Sequence, residues 1–143
     1  MAQAKAAQKK EPKPAAMPKP VHGTFIWNEL MTHDVEAAKK FYASVLGWTF
    51  QPFSQDEPNN YWMIKAGGKV SGGIFEMKSP ELAKVPDHWV TYVAVDDVDA
   101  CVAKVLAAGG KVCHGPMDIP KVGRIVLLFD KGGAQFALIT PKM

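Results

Sequence analysis

Apolar and polar positions change period along this chain in an order that occurs twice. Residues 24–31 are a run of aromatic and long apolar side chains interrupted by Asn28 and Glu29, which predicts a strand. Asp34 follows, a carboxylate able to accept the free amides of a helix start. Val35, Ala38, Phe41, Tyr42, Val45 and Leu46 then recur at spacings of three and four, the stripe of an amphipathic helix. Gly47 predicts its stop, because glycine takes the left-handed C′ conformation at little cost. Three shorter strands are expected at 48–53, 61–66 and 70–77, separated by the polar stretch 54–60 and by Gly67-Gly68.

The second half repeats this order after a polar, proline-bounded connector at 78–86. A strand is expected at 89–95, a cap at Asp96, and a helix carrying Val98, Cys101, Val102, Val105 and Leu106 on one stripe. Gly109-Gly110 stops it, and strands at 111–114, 124–129 and 134–140 complete the half, with Gly132-Gly133 in the last turn. Sliding the sequence by 62 places Trp27 on Trp89, Asp34 on Asp96, Ala38 on Ala100 and Gly47 on Gly109, which indicates an internal duplication. The expected fold is therefore α+β: two pseudo-symmetric βαβββ modules, 22–77 and 87–140. Neither module covers its own sheet alone, so the two should share a core.

Composition supports one folded unit. The chain has 143 residues, 48% of them hydrophobic, with four Trp and seven Phe, enough to bury a core. The charge is uneven. Residues 1–20 hold five lysines against Glu11, a balance of +4, and the whole chain is +3, so the remainder is −1. The body has one arginine, Arg124, and no basic face that argues for nucleic acid. The leading 1–20 segment is Ala, Lys, Gln and Pro without aromatics, read here as a disordered tail ahead of a 21–143 domain. It has neither the apolar core of a secretion signal nor the arginines of a mitochondrial presequence. No run of about 18 apolar residues is present, so no membrane span is expected. Cys101 and Cys113 form no C-x-x-C pair, consistent with free thiols and a cytoplasmic setting.

The pattern from Asp34 to Trp48, Asp-x-x-x-Ala-x-x-Phe-Tyr-x-x-x-Leu-Gly-Trp, resembles the first-module signature of the vicinal oxygen chelate superfamily. That group includes glyoxalase I, bleomycin-resistance and fosfomycin-resistance proteins and extradiol dioxygenases. Val93-Ala94-Val95-Asp96-Asp97-Val98, Ala108-Gly109-Gly110-Lys111-Val112 and Asp130-Lys131-Gly132-Gly133-Ala134 resemble its second-module signature, so the likeness spans residues 22–140. The opening Trp27-Asn28-Glu29-Leu30 is similar to a bacterial glyoxalase-like subgroup. The resemblance implies a U-shaped mixed sheet around a cleft, helices outside, and a homodimer. In metal-dependent members, His and Glu side chains on four strands hold a divalent ion that polarises a substrate oxygen.

Carried across, the first-strand ligand position falls on Trp27, its second-module counterpart on Trp89, and the last-strand position on Ala137. The fourth lies near Gly73, Ile74 or Phe75. Indole and methyl groups do not ligate cations, so the standard metal set is expected to be missing and no cofactor is assigned. Two indoles on a cleft floor would instead offer a stacking surface; the alternative is that they fill a collapsed core. Strand alternation puts Glu29 and Met31 on the Trp27 face, and Thr91 on the matching face of the second module. A carboxylate beside indoles is desolvated, which suits a general base or an amine anchor, so Glu29 is the candidate catalytic residue.

His22, His33, His88 and His114 share no metal-ligand spacing, though a cluster of some of them with Glu76 or Asp87 stays open. No nucleophilic triad order, phosphate loop or dinucleotide fingerprint is present. The reading is a cleft protein that binds a small aromatic or amphipathic molecule through Trp27, Trp89, Glu29, Met31, Thr91 and Ala137. Two alternatives stand beside it: a metal-free enzyme using Glu29, and a metal-dependent lyase or dioxygenase with displaced ligands.

Overall fold

Two βαβββ units follow one another in the computed structural model, which describes residues 19–54 and 60–142. In the first unit β1 (Phe25–Thr32) leads into α1 (Val35–Leu46), then β2 (Thr49–Pro52), β3 (Tyr61–Ala66) and β4 (Lys69–Glu76). A 3₁₀ turn at Pro80–Leu82 precedes the second unit: β5 (His88–Ala94), α2 (Val98–Ala107), β6 (Lys111–Ile119), β7 (Gly123–Phe129) and β8 (Gln135–Pro141). The expected tail falls outside the described residues except for Lys19 and Pro20, and most of the 54–60 breaker does too.

All eight strands join one open mixed sheet in the order β2-β3-β4-β1-β5-β8-β7-β6. The order reads alike from both edges, so the duplication becomes a pseudo-two-fold axis between β1 and β5. These two run antiparallel, while β1–β4 and β5–β8 are the parallel pairs. Each parallel pair is bridged by its module's helix and two further strands, the long crossover that parallel pairing demands.

Apolar side chains gather in three clusters, which set the two faces of the sheet. Leu30, Val35, Ile64 and Ile74 pack beneath α1. Val95, Val98, Val126, Leu128 and Leu138 pack beneath α2. The opposite face, the concave one of the U-shaped sheet that the resemblance implies, carries Met31, Met77, Val90, Tyr92, Ile125, Leu127, Ala137 and Ile139 from both modules. Complete burial of Ile74, Val90 and Leu128 is worth about 1.5–3 kcal/mol each, so the shared core carries much of the fold.

Asp34 caps α1 as its type predicts, accepting from the Ala37 amide at 3.0 Å, and Gly47 ends the helix in the left-handed region at φ 72°. The second cap corrects the sequence expectation. Asp97, not Asp96, starts α2, accepting from the Ala100 amide at 3.1 Å. Asp96 stays outside the helix, where it pairs with Lys19 at 3.1 Å and donates its amide to His22 Nδ1 at 3.0 Å. The modules therefore match at an offset of 63 over strand and cap, and β5 is displaced by one residue. In a strand one residue exchanges the faces.

The α1 stripe is a second departure. Only Val35 is buried in this helix, while Phe41, Val45 and Leu46 are 58, 59 and 53% exposed.

Candidate ligand site on the concave sheet face

Alternation along β1 points Trp27, Glu29 and Met31 at the concave face, as predicted. The β1–β5 register sets Trp27 opposite Tyr92, Glu29 opposite Val90 and Met31 opposite His88. His88, Val90 and Tyr92 thus share that face. Trp89 and Thr91, which the 62-residue offset placed in the cleft, stand across from Leu30 and Asn28 on the outer face. Trp89 donates its indole N–H to Tyr42 at 3.3 Å, edge-on to the Trp48 ring at 6.1 Å. With Phe41 and Tyr42 it lines a groove of about 330 Å³ between α1 and β5. Of the expected ligand-binding residues, Trp27, Glu29, Met31 and Ala137 come together on one face; Trp89 and Thr91 do not join them.

Glu29 is the centre of the concave face, 6% exposed. The Tyr92 hydroxyl donates to its Oε2 at 3.2 Å, and Tyr61 hydrogen-bonds the same carboxyl. Tyr61 in turn accepts from the Trp27 indole N–H at 2.8 Å. The bonds form one chain, from Trp27 through Tyr61 to Glu29, closed by Tyr92 from the other module. Glycine makes the arrangement fit: a Cβ at Gly73 would coincide with the Tyr61 ring and hydroxyl.

Burial pushes the Glu29 carboxyl above its ordinary value of 4.5, and the bonds from Tyr61 and Tyr92, with the charge on His88 whenever that ring is protonated, pull it partway back. Both phenols are held well above the tyrosine range, by burial first and by the facing carboxyl second. They remain neutral donors at any ordinary pH, so within the Tyr61–Glu29–Tyr92 chain Glu29 is the group that changes charge. The arrangement can hold a proton on Glu29, release it, or orient a polar group against it.

His88 completes the polar set. Its Nδ1 lies 2.7 Å from the Pro86 carbonyl oxygen, which only accepts, so Nδ1 carries the hydrogen and the neutral ring keeps its lone pair on Nε2. That Nε2 is buried and has no hydrogen-bond partner among the described residues.

Tyr61, Tyr92 and His88 are the residues sequence reasoning did not assign to the site. Alternation through Tyr61-Trp62-Met63 sets Tyr61 and Met63 on one face of β3 and Trp62 on the other, without saying which face lines the cleft. Tyr92 and His88 were lost with the one-residue displacement of β5. The signal that recovers them is the adjacent Asp96-Asp97 pair: counting the strand back from Asp97 brings both to the inner face.

The divalent ion found in metal-dependent relatives does not fit these residues. With the β5 register corrected, the three positions carried across by the resemblance hold Trp27, Val90 and Ala137, whose side chains offer a cation no lone pair, and the fourth stays near Gly73, Ile74 or Phe75. The alternative cluster is not assembled either. His22 accepts from Asp96, His33 contacts the Val85 carbonyl at 2.7 Å, His114 is exposed on β6, Asp87 is bonded to Thr32 and the His33 amide, and Glu76 faces Lys78. Among the described residues no three His, Cys, Asp or Glu side chains gather closely enough to hold a metal.

Known proteins carry the same fold. The chain is 45% identical over 119 residues to "Putative glyoxylase CFP32" of Mycobacterium tuberculosis, covering 83% of this chain and 44% of that protein. It is 31% identical over 127 residues to "Anthracycline biosynthesis protein DnrV" of Streptomyces peucetius, covering 81% and 46%. The chain thus spans less than half the length of these curated relatives. Among solved structures, the Mn(II)-bound glyoxalase from Novosphingobium aromaticivorans is similar with a TM-score of 0.55 at 26% identity, over 83% of this chain and 39% of that one. Residues 22–138, nearly all of the folded body, match the family described as Glyoxalase/Bleomycin resistance protein/Dioxygenase superfamily. With its paired βαβββ modules and eight-stranded open sheet, the chain belongs to that superfamily.

Proposed function

We propose that the chain binds a small molecule with a flat aromatic or amphipathic body on its concave sheet face, oriented by Glu29 and its tyrosine partners, without a divalent metal. One observation carries the reading. The centre of the face holds a buried carboxyl hydrogen-bonded by two phenols, one of which accepts from the Trp27 indole N–H. A wall of Trp27, Met31, Phe75 and Val90 around a hydrogen-bonded acid favours a molecule with an apolar face and a polar edge. The anthracycline biosynthesis relative, by its name, serves a pathway of polycyclic aromatic compounds, which agrees with that chemistry.

If turnover accompanies binding, Glu29 is the acid or base, since burial raises its carboxyl above the ordinary value while its tyrosine partners stay protonated. In that case Glu29→Gln abolishes turnover; a pure binder loses only affinity. The Mn(II)-bound relative favours a second reading, a metal-dependent lyase with displaced ligands, which metal content separates from the first.

Tryptophan fluorescence during titration with planar aromatic amphiphiles tests the proposal. Quenching should vanish in Trp27→Phe and persist in Trp89→Phe, because the two indoles lie on opposite faces. Quenching that depends on Trp89 alone would move the site to the outer groove and overturn the reading.

We also propose that the chain pairs with a second copy through α1. A lone molecule leaves Phe41, Val45 and Leu46 in water on one helix face beside Trp89, itself 42% exposed.

A further inference from the structure

We propose that His88 is a ligand contact of this same concave site: its Nε2 accepts a hydrogen bond from a hydroxyl or N–H on the bound molecule. The inference rests on the concave-face reading above and narrows it, from any flat amphipathic molecule to one that carries a hydrogen-bond donor beside its ring.

Three observations lead there. The first is a fixed tautomer. Nδ1–H is committed to the Pro86 carbonyl at 2.7 Å, so the neutral ring presents a lone pair, and nothing else, at Nε2. The second is an unmet need. A buried acceptor without a partner costs stability that a leucine or phenylalanine at the same place would not. The third is position. His88 stands opposite Met31, one inward rung along the sheet from the Glu29–Val90 pair.

The neighbours cannot satisfy it. The hydroxyls of Tyr61 and Tyr92 are spent on Glu29, the Trp27 N–H is spent on Tyr61, and Met31 and Val90 are apolar. An incoming donor is the missing element. Such a molecule has to part the apolar side chains that pack against this face from the connector and from the β6–β7 hairpin, Leu82, Val85, Met117 and Ile119. That cover would shield the new bond from water and strengthen it. A ligand placed so would lay its ring along Met31 and Val90 towards Trp27, with its polar edge between His88 and Glu29.

The test uses the full chain with nitrogen-15-labelled histidine and two probes, β-naphthol and its methyl ether, which differ in the donor. β-Naphthol should bind roughly tenfold more tightly than the ether, the usual scale for one buried hydrogen bond. The His88 Nε2 resonance should move with β-naphthol and stay in place with the ether, and His88→Phe should bring the two affinities together. Equal affinities in the wild type, an unmoved Nε2 resonance, or a preference surviving in His88→Phe would each overturn the role of His88 while leaving the concave-face reading intact. Binding of neither probe would overturn both. Should His88→Phe fail to fold, the Nε2 resonance of the wild-type protein decides alone.

Discussion

Glu29 shows how one buried group ties stability to pH. A carboxyl whose proton is held more tightly in the folded chain than in the unfolded one stabilises the fold at low pH. That contribution is fully present below the unfolded value of 4.5 and is lost as pH rises through the raised folded value. Glutamine keeps the shape and accepts from one tyrosine but does not titrate. The melting temperature of the wild type should therefore fall relative to that of Glu29→Gln as pH rises above 4.5, by calorimetry at matched ionic strength. Parallel curves for the two proteins would mean that Glu29 is not desolvated in the folded state. Fixing an acid in this way costs stability near neutrality, a loss commonly found at functional sites.

At the scale of elements, periodicity and caps made most of the fold legible. The strand-helix order, the Asp34 cap, the Gly47 stop and the α2 stripe from Val98 to Val105 are local signals that survive folding, while Leu106 at the end of that stripe is exposed. Facing was harder. Trp89-Val90-Thr91-Tyr92 carries an aromatic on each face of the strand, so alternation alone does not say which set points inward. The choice depended on whether Asp96 or Asp97 caps α2, two identical side chains in sequence. The structure separates them by partner: Asp97 holds the Ala100 amide, while Asp96 holds exposed Lys19 and His22. Asp97→Ala should cost about 1 kcal/mol by denaturant unfolding, as losing a helix cap does. Asp96→Ala should cost a few tenths at most, as exposed ion pairs do. The reverse order of costs would restore the 62-residue register and return Trp89 to the cleft.

For the whole molecule, the duplication explains both the shape and the site. Two modules placed edge to edge about a pseudo-two-fold axis share one concave face, and Glu29 from the first is held partly by Tyr92 from the second. Neither module contains the site alone. Long-range contacts of this kind, such as Tyr61 over Gly73 and Tyr92 on Glu29, leave no mark on local periodicity, which is why Glu29 was readable from sequence and its tyrosine partners were not. The exposed α1 face is likewise a whole-molecule property, because an amphipathic stripe does not announce which of its residues the sheet will cover. Sedimentation equilibrium at micromolar concentration should give twice the chain mass, and Leu46→Glu should return it to the monomer. A wild-type monomer at that concentration would exclude pairing through α1.

The central claim is that this member of the superfamily works its cleft with a buried acid and its hydrogen-bond partners in place of a bound cation. Elemental analysis of purified protein, freed of any affinity tag and with the lysine-rich tail deleted in a parallel sample, tests it most directly. The account predicts far less than one divalent metal per chain in both samples. About one tightly held metal per chain, present without the tail, would contradict it and return the displaced-ligand lyase to first place.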